Sequence, residues 1–418
     1  MHSKNYLALQ KRLDMSPQGA PYSETLMKIL EHLFTDKEAG LTALLPINFF
    51  TPKKASKLWG MKEDEAEDIL DKLAGKGILL DVDKGKGREF IMAPTMAGFF
   101  EFSIMRTDGK FDRKLLSELY HQYINVEEDF LKVILDGKPH IARVFVHEDT
   151  VKEHKGVILN YERATKAIEN ATAFAVGTCY CRYKMDQVTS ACDQPQEVCL
   201  SFNNAAKSLA KHGIARKITK EESLKILKEC KDKGLVQVGD NVQKNIGWIC
   251  NCCGCCCEAL LAYKRLGHAP RLESNFYCEI DNDKCKTCGI CIKKCPVDAI
   301  SKKGNKIVVD KDKCLGCGVC LRFCPANSMK MHKRSENNFT PRDSFERFVL
   351  TAINSGKLQN LLVDNHKLWS ADMLRRLVGV ILKLPPAKQI LASRQMQSKF
   401  LSWVTKTDYH DGYDKGYD

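Results

Sequence analysis

Two nearly identical cysteine runs constrain this chain more than any other feature. The first carries Cys285, Cys288, Cys291 and Cys295, followed by Pro296. The second carries Cys314, Cys317, Cys320 and Cys324, followed by Pro325. Each reads C-x₂-C-x₂-C-x₃-C-P, the spacing that wraps four thiolates around a cubane [4Fe–4S] cluster. Such a segment folds around metal, and it predicts one-electron chemistry.

At 418 residues the chain has room for several domains. Its 44% hydrophobic and 28% charged residues are those of a folded, water-exposed protein. No apolar run approaches the ~18–20 residues of a membrane span, and the start at Met1–Tyr6 lacks the apolar core of a signal peptide. The default location is therefore the cytoplasm. Twenty cysteines crowding residues 179–324 of a large chain read as metal ligands in a reducing compartment rather than disulfides. That density also points towards anaerobic life. The net charge of +13 admits nucleic acid, an anionic membrane surface or acidic protein partners; lysines that solubilise a large surface explain it equally.

The pattern along the chain predicts an α+β multidomain protein. Residues 1–23 form a lead. Apolar positions at helical spacing predict a helix over 24–34. Thr51-Pro52 opens a helix over 53–59, ended by Gly60, and a further helix runs over 62–74. Strands at 78–82 and 89–92 flank a Gly/Lys turn. This order resembles a winged-helix domain over 24–105. Its would-be recognition helix carries Glu63, Asp64, Glu65, Glu67 and Asp68, which phosphates repel. DNA is therefore disfavoured and a structural or protein-docking role preferred.

Residues 106–275 read as a mixed α/β, cysteine-rich domain. Helices are predicted at 111–124 and 161–170, and strands at 141–147, 171–177 and 246–249. Thr219 with Glu222 predicts a capping box that opens a helix to about Lys233. On that helix Cys230 shares the buried face with Leu224 and Leu227 and reads as a packed thiol. A helix is also predicted at 258–266. The extension 333–418 is helical, with helices at 371–384 and 387–404 and a disordered tail after Lys406. On the first of these, Met373, Leu374, Leu377, Val378 and Ile381 lie on one side. That side either packs on the body or meets a partner or membrane surface.

The two runs belong to an internal repeat: residues 280–285 match 309–314, and 296–300 match 325–329. Over about 276–332 the chain resembles the bacterial two-cluster ferredoxins. The resemblance implies two [4Fe–4S] clusters. In such repeats the fourth cysteine serves the other cluster, which assigns Cys285, Cys288, Cys291 and Cys324 to cluster one. Cluster two takes Cys314, Cys317, Cys320 and Cys295. Gly289 and Gly318 are expected to let the backbone wrap without a Cβ clash. Ile290, Ile292, Val319, Leu321 and Phe323 are expected to pack dry around the clusters.

Twelve cysteines remain, and ten form a second block: Cys179, Cys181, Cys192, Cys199, Cys250, Cys252, Cys253, Cys255, Cys256 and Cys257. Cys230 and Cys278 stand apart from it. Three readings of the block are open. They are one or two additional Fe–S clusters, a structural zinc on the C-x₂-C pairs within 250–256, or buried thiols. The first is preferred. Cysteines at a helix start favour thiolate, and Arg182 is placed to offset cluster charge. The layout resembles ferredoxin-domain proteins of anaerobic microbes in which CxCR and CNCC segments precede a two-cluster module. Cys252-Cys253-Gly254 is also similar to the CCG motif of heterodisulfide-reductase-type subunits. That family's long spacing and duplicated motif are absent, so its activity is not carried over.

The preferred function is that of an electron-transfer protein or a subunit of an anaerobic oxidoreductase complex, with redox proteins as partners. The alternatives are an enzyme whose catalytic Fe–S centre lies in 179–257 and reduces a disulfide or small molecule, and a redox-sensing DNA regulator. No nucleotide or flavin signature is visible.

Overall fold

A computed structural model describes residues 2–83, 85, 87–105, 111–151, 158–189, 191–266, 272–363 and 369–383. The elements expected over 24–105 are present. Helices Glu24–Leu33, Pro52–Trp59 and Glu63–Gly75 precede an antiparallel hairpin of β1 (Leu79–Asp83) and β2 (Arg88–Met92). Thr51 caps the second helix by accepting from the Lys54 N–H, and Gly60 ends it at φ 69°. Two further helices, Lys4–Met15 and Asp36–Ala43, pack against each other in the same layer. The second opens with a full capping box between Thr35 and Glu38, a signal present in the sequence but not used above.

The wing-like hairpin does not project freely. Asp81 on β1 is buried, and it accepts from Ser208 Oγ at 2.6 Å, Lys211 Nζ at 2.8 Å and Arg88 Nε at 2.9 Å, with His212 Nε2 3.1 Å away. Ser208 and Lys211 lie on the helix Asn203–Lys211 of the following region. One hydrophobic core accordingly runs from Leu9 through Phe100, Tyr120 and Tyr180 to Ala262.

The middle region is built on a sheet whose described strands are all antiparallel: β3 (Ala142–Phe145), β4 (Phe174–Thr178), β5 (Glu197–Phe202), β6 (Arg216–Lys217), β7 (Val236–Asp240) and β8 (Trp248–Cys252). Their order is β3-β7-β8-β5-β4-β6. Several expectations need correction here. The strand expected at 246–249 starts at Trp248 and runs on to Cys252, so Cys250 and Cys252 are sheet residues. The helix expected at 161–170 is confined to Ala164–Glu169. Thr219 caps its helix, Lys220–Asp232, but the box is one-armed: Glu222 turns outward to Arg216 instead of returning to the cap. The ion pair competes for the same carboxylate.

In the repeat region β9 (Phe276–Ile280) pairs antiparallel with β12 (Met329–Lys333), and β10 (Ile300–Lys303) with β11 (Lys306–Val309). Short helices Ile290–Lys294 and Val319–Arg322 lie between them. Beyond, Ser344–Asn354 and Leu358–Leu362 lead to Trp369–Lys383. This last helix seats through Gly379 beside Gln359 and through Leu382. Of its apolar side, Met373 (54%), Leu377 (51%) and Ile381 (56%) are exposed among the described residues and Val378 is partly buried, so most of that side does not pack on the body, the first of the two expectations. The helix expected at 387–404 and the tail lie outside the described residues. Among the described residues no helix is long and apolar enough to cross a membrane.

Candidate iron–sulfur site

In the repeat, the thiols of the two runs are drawn together. Cys317 faces Cys320, Cys314 and Cys295 electrostatically, and Cys291 faces Cys320, Cys285 and Cys288. Burial pushes Cys291 and Cys314 up to about 11, since a buried thiolate without metal is poorly solvated. Backbone N–H groups already point at sulfur. Ala299 donates to Cys295 Sγ at 3.2 Å, Thr287 to Cys285 Sγ at 3.4 Å and Cys278 to Cys314 Sγ at 3.4 Å. Burial opposes ionisation of Cys324, yet the Ser328 hydroxyl and backbone N–H groups outweigh it and lower its pKa. Donors aimed at sulfur are what a thiolate-bound cluster uses to spread its charge.

The two glycines do different work. Gly289 and Gly318 both sit at positive φ, 74° and 83°. A Cβ on Gly289 would meet open space, so conformation alone demands glycine there. On Gly318 it would lie 2.4 Å from Thr150 Oγ1. That contact seats the repeat on the sheet, where the N–H of His147 donates to the Cys317 carbonyl. Of the five residues expected to pack dry, Val319 is fully buried and Ile292, Leu321 and Phe323 partly so. Ile290 is exposed, at 37%. Cys278, unassigned from sequence, is buried beside Cys320 and Cys314. Its alternation on β9 was the available signal.

The second block is assembled by three neighbouring strands and two helix starts. Cys179 follows β4 at the residue preceding the helix Tyr180–Val188; Cys257 holds the same position before Glu258–Arg265. Cys199 on β5 reaches Cys250 on β8 at Sγ–Sγ 3.7 Å. Asn251, between the two β8 cysteines, is held on the other side by Gln237 and Val198. The helices are joined by a fully buried ion pair of Lys184 with Glu258, completed by Asn125 and Tyr180. Sequence reading missed this pair because nothing in the spacing of 184 and 258 announces it.

Thiolate is favoured at selected positions. S–H donation from Cys256 and the charge of Arg182 push Cys253 down to about 4, against the cost of burial. Donation from Cys199 and Cys252 pushes Cys250 down to about 5. Cys257 falls well below its usual value through Cys181 and Cys252, helped by the N–H groups of Leu260 and Ala259 at the helix start. Arg182 is fully buried; it donates to the carbonyls of Pro195 and Asn251 and faces Cys179, Cys253 and Cys252. Its expected role in offsetting negative charge fits this placement. Cys230 is pushed up to about 12 by burial and packs with Leu235, Cys253 and Cys256, consistent with a wall rather than a ligand.

Block and repeat share one packed interior. Cys252 and Cys257 belong to the same hydrophobic cluster as Cys278, Cys291, Cys314, Cys317 and Cys320. Gly254, between Cys253 and Cys255, lies so close to the repeat that a Cβ there would stand 2.3 Å from the Pro296 carbonyl oxygen.

Residues 278–331 match the family model of the 4Fe-4S dicluster domain. The segment is thus an iron–sulfur domain of ferredoxin type, and the donor set just described fits such clusters. None of the curated proteins or solved structures compared with the chain is detectably similar to it.

Proposed function

We propose that this chain is an electron-transfer protein, or the electron-transfer subunit of an oxidoreductase complex, of anaerobic and cytoplasmic setting. Cys285, Cys288, Cys291 and Cys324 would hold one [4Fe–4S] cluster, and Cys314, Cys317, Cys320 and Cys295 the second. The 179–257 block would hold further iron–sulfur metal. Bound there, such clusters supply reversible one-electron exchange.

One observation carries the reading: thiols of the repeat and of the block share one packed interior, and each region also exposes a thiol. Cys314, Cys317, Cys320, Cys252 and Cys257 are buried in one cluster, while Cys288 of the repeat and Cys255 of the block are exposed. Burial keeps water away from the shared interior, and the exposed thiols mark where partners have access. The N-terminal region fits a docking module of winged-helix type better than a DNA reader. Its wing is occupied by the helix Asn203–Lys211, and its acidic helix exposes Glu63, Asp64, Glu65 and Asp68. A second reading, a catalytic centre in the block, is favoured by the exposed thiol of Cys255.

Iron and acid-labile sulfide counted on anaerobically purified protein test the proposal. Markedly more than about eight irons supports it, since two cubanes account for eight. A count of about eight, with only ferredoxin-type signals in the reduced state, sinks the assignment of the block.

A further inference from the structure

The ten block cysteines do not form one nest. Four of them, Cys192, Cys253, Cys255 and Cys256, place their sulfurs within 4.8 Å of one another. Cys192 Sγ lies 3.5 Å from Cys253 Sγ and 3.9 Å from Cys256 Sγ; Cys255 Sγ lies 3.7 Å from Cys256 Sγ. The other six lie outside that group and close to one another in series. Cys181 lies beside Cys179 and Cys257, Cys252 lies beside Cys257 and Cys250, and Cys250 Sγ is 3.7 Å from Cys199 Sγ. The partition cuts across the sequence: Cys252 and Cys253 are neighbours in the chain and fall on opposite sides, as do Cys256 and Cys257.

The two groups have different surroundings. The group of four lies against Cys230, Leu235 and Val198 and opens to solvent at Cys255. Five of the six lie where two cores meet, while Cys179 packs with the group of four. Cys181 and Cys199 pack against the N-terminal core. Cys250, Cys252 and Cys257 pack against the core that contains the repeat. Arg182 lies beside both groups: its charge reaches Cys179 and Cys252 of the six and Cys253 of the four. A buried guanidinium placed this way offsets negative charge in both groups.

Resting on the reading of the block as an iron–sulfur site, we infer that it holds two separate metal centres. Cys192, Cys253, Cys255 and Cys256 form a four-thiolate centre of cubane type. Cys179, Cys181, Cys199, Cys250, Cys252 and Cys257 form a second centre that draws on more thiolates than the four a cubane takes.

The test uses the full chain, purified anaerobically, in three forms: parent, Cys255→Ser with Cys256→Ser, and Cys199→Ser with Cys250→Ser. Iron is counted, and the reduced proteins are compared by EPR and Mössbauer spectroscopy. The first pair should remove about four irons and leave the six-thiol spectrum in place. The second pair should remove the six-thiol spectrum and leave the four-thiol one. Persistence of the ferredoxin-type signals shows that each variant has folded. A block emptied completely by either pair overturns the two-centre inference while sparing the block's iron–sulfur character. A parent with only about eight irons overturns both. Single serine variants of the six then decide the ligand number. At least five should alter the second spectrum, and silence of two or more overturns the larger ligand set.

Discussion

Replacing Arg182 by methionine removes the buried cation of the cysteine block while nearly keeping its volume. The guanidinium is 0% exposed. It donates to the carbonyls of Pro195 and Asn251 and faces Cys179, Cys253 and Cys252. Methionine orphans two buried carbonyls, at about 1–3 kcal/mol each. It also leaves buried thiolates without their counter-charge, and breaking a buried pair costs about 3–5 kcal/mol. These costs overlap, so about 3–5 kcal/mol is the expected total. At about 1.4 kcal/mol per factor of ten, that is roughly 10²- to 10⁴-fold in the folding equilibrium. Arg182→Lys keeps the charge, but a single ammonium cannot span both carbonyls as the planar fork does. It should cost about half as much. Anaerobic urea titration, followed by iron–sulfur absorbance and far-UV circular dichroism, measures both variants, and iron counting reports metal retention. If Arg182→Met stays within about 0.5 kcal/mol of the parent and keeps its iron, the electrostatic argument is wrong, because a loss of the size set by the buried pair is then missing. If lysine is as damaging as methionine, geometry rather than charge decides the site.

Four more outcomes are expected. Gly254→Ala forces a methyl against the Pro296 carbonyl and should cost about 1–3 kcal/mol in thermal unfolding. Gly75→Ala, where a Cβ meets nothing within 4 Å, is its control, and equal melting of both variants would contradict the close approach. Lys184→Met strands the buried Glu258 and should cost about 3–5 kcal/mol, with block iron lost before ferredoxin-type iron on titration with a chelator. Cys278→Ala opens a small cavity beside Cys314 and Cys320 and should cost about 1 kcal/mol in urea unfolding. Iron content should be unchanged, and a loss of about four irons would instead make Cys278 a ligand. Burial opposes the charge of Asp81, but bonds from His212, Lys211 and Ser208 outweigh it and hold its carboxyl well below 3.8. A depressed carboxylate stabilises the fold fully above its unfolded pKa, and that contribution fades as pH falls through the folded value. Urea stability should therefore drop below about pH 3.8, and Asp81→Asn should flatten that part of the profile while lowering stability at pH 7 by about 2 kcal/mol.

The sequence by itself determined the chemistry of the repeat. A cubane is satisfied by local ligand spacing, so Cys285–Cys295 and Cys314–Cys324 are legible without a fold. It determined most helices whose apolar period and caps are local, such as those starting after Thr51 and Thr219. Only the tertiary structure decided how the second block divides. Which of Cys252 and Cys253 joins which group depends on the strand face of β8 and on partners more than fifty positions away, at Cys192 and Cys199. It also decided that the wing-like hairpin is spent on Ser208 and Lys211, that Arg182 and Lys184 are fully buried, and that Cys278 reaches the Cys314–Cys320 thiols. Each of these follows from long-range packing, in which burial sets the strength of a charge or hydrogen bond, and burial is not written in residue spacing.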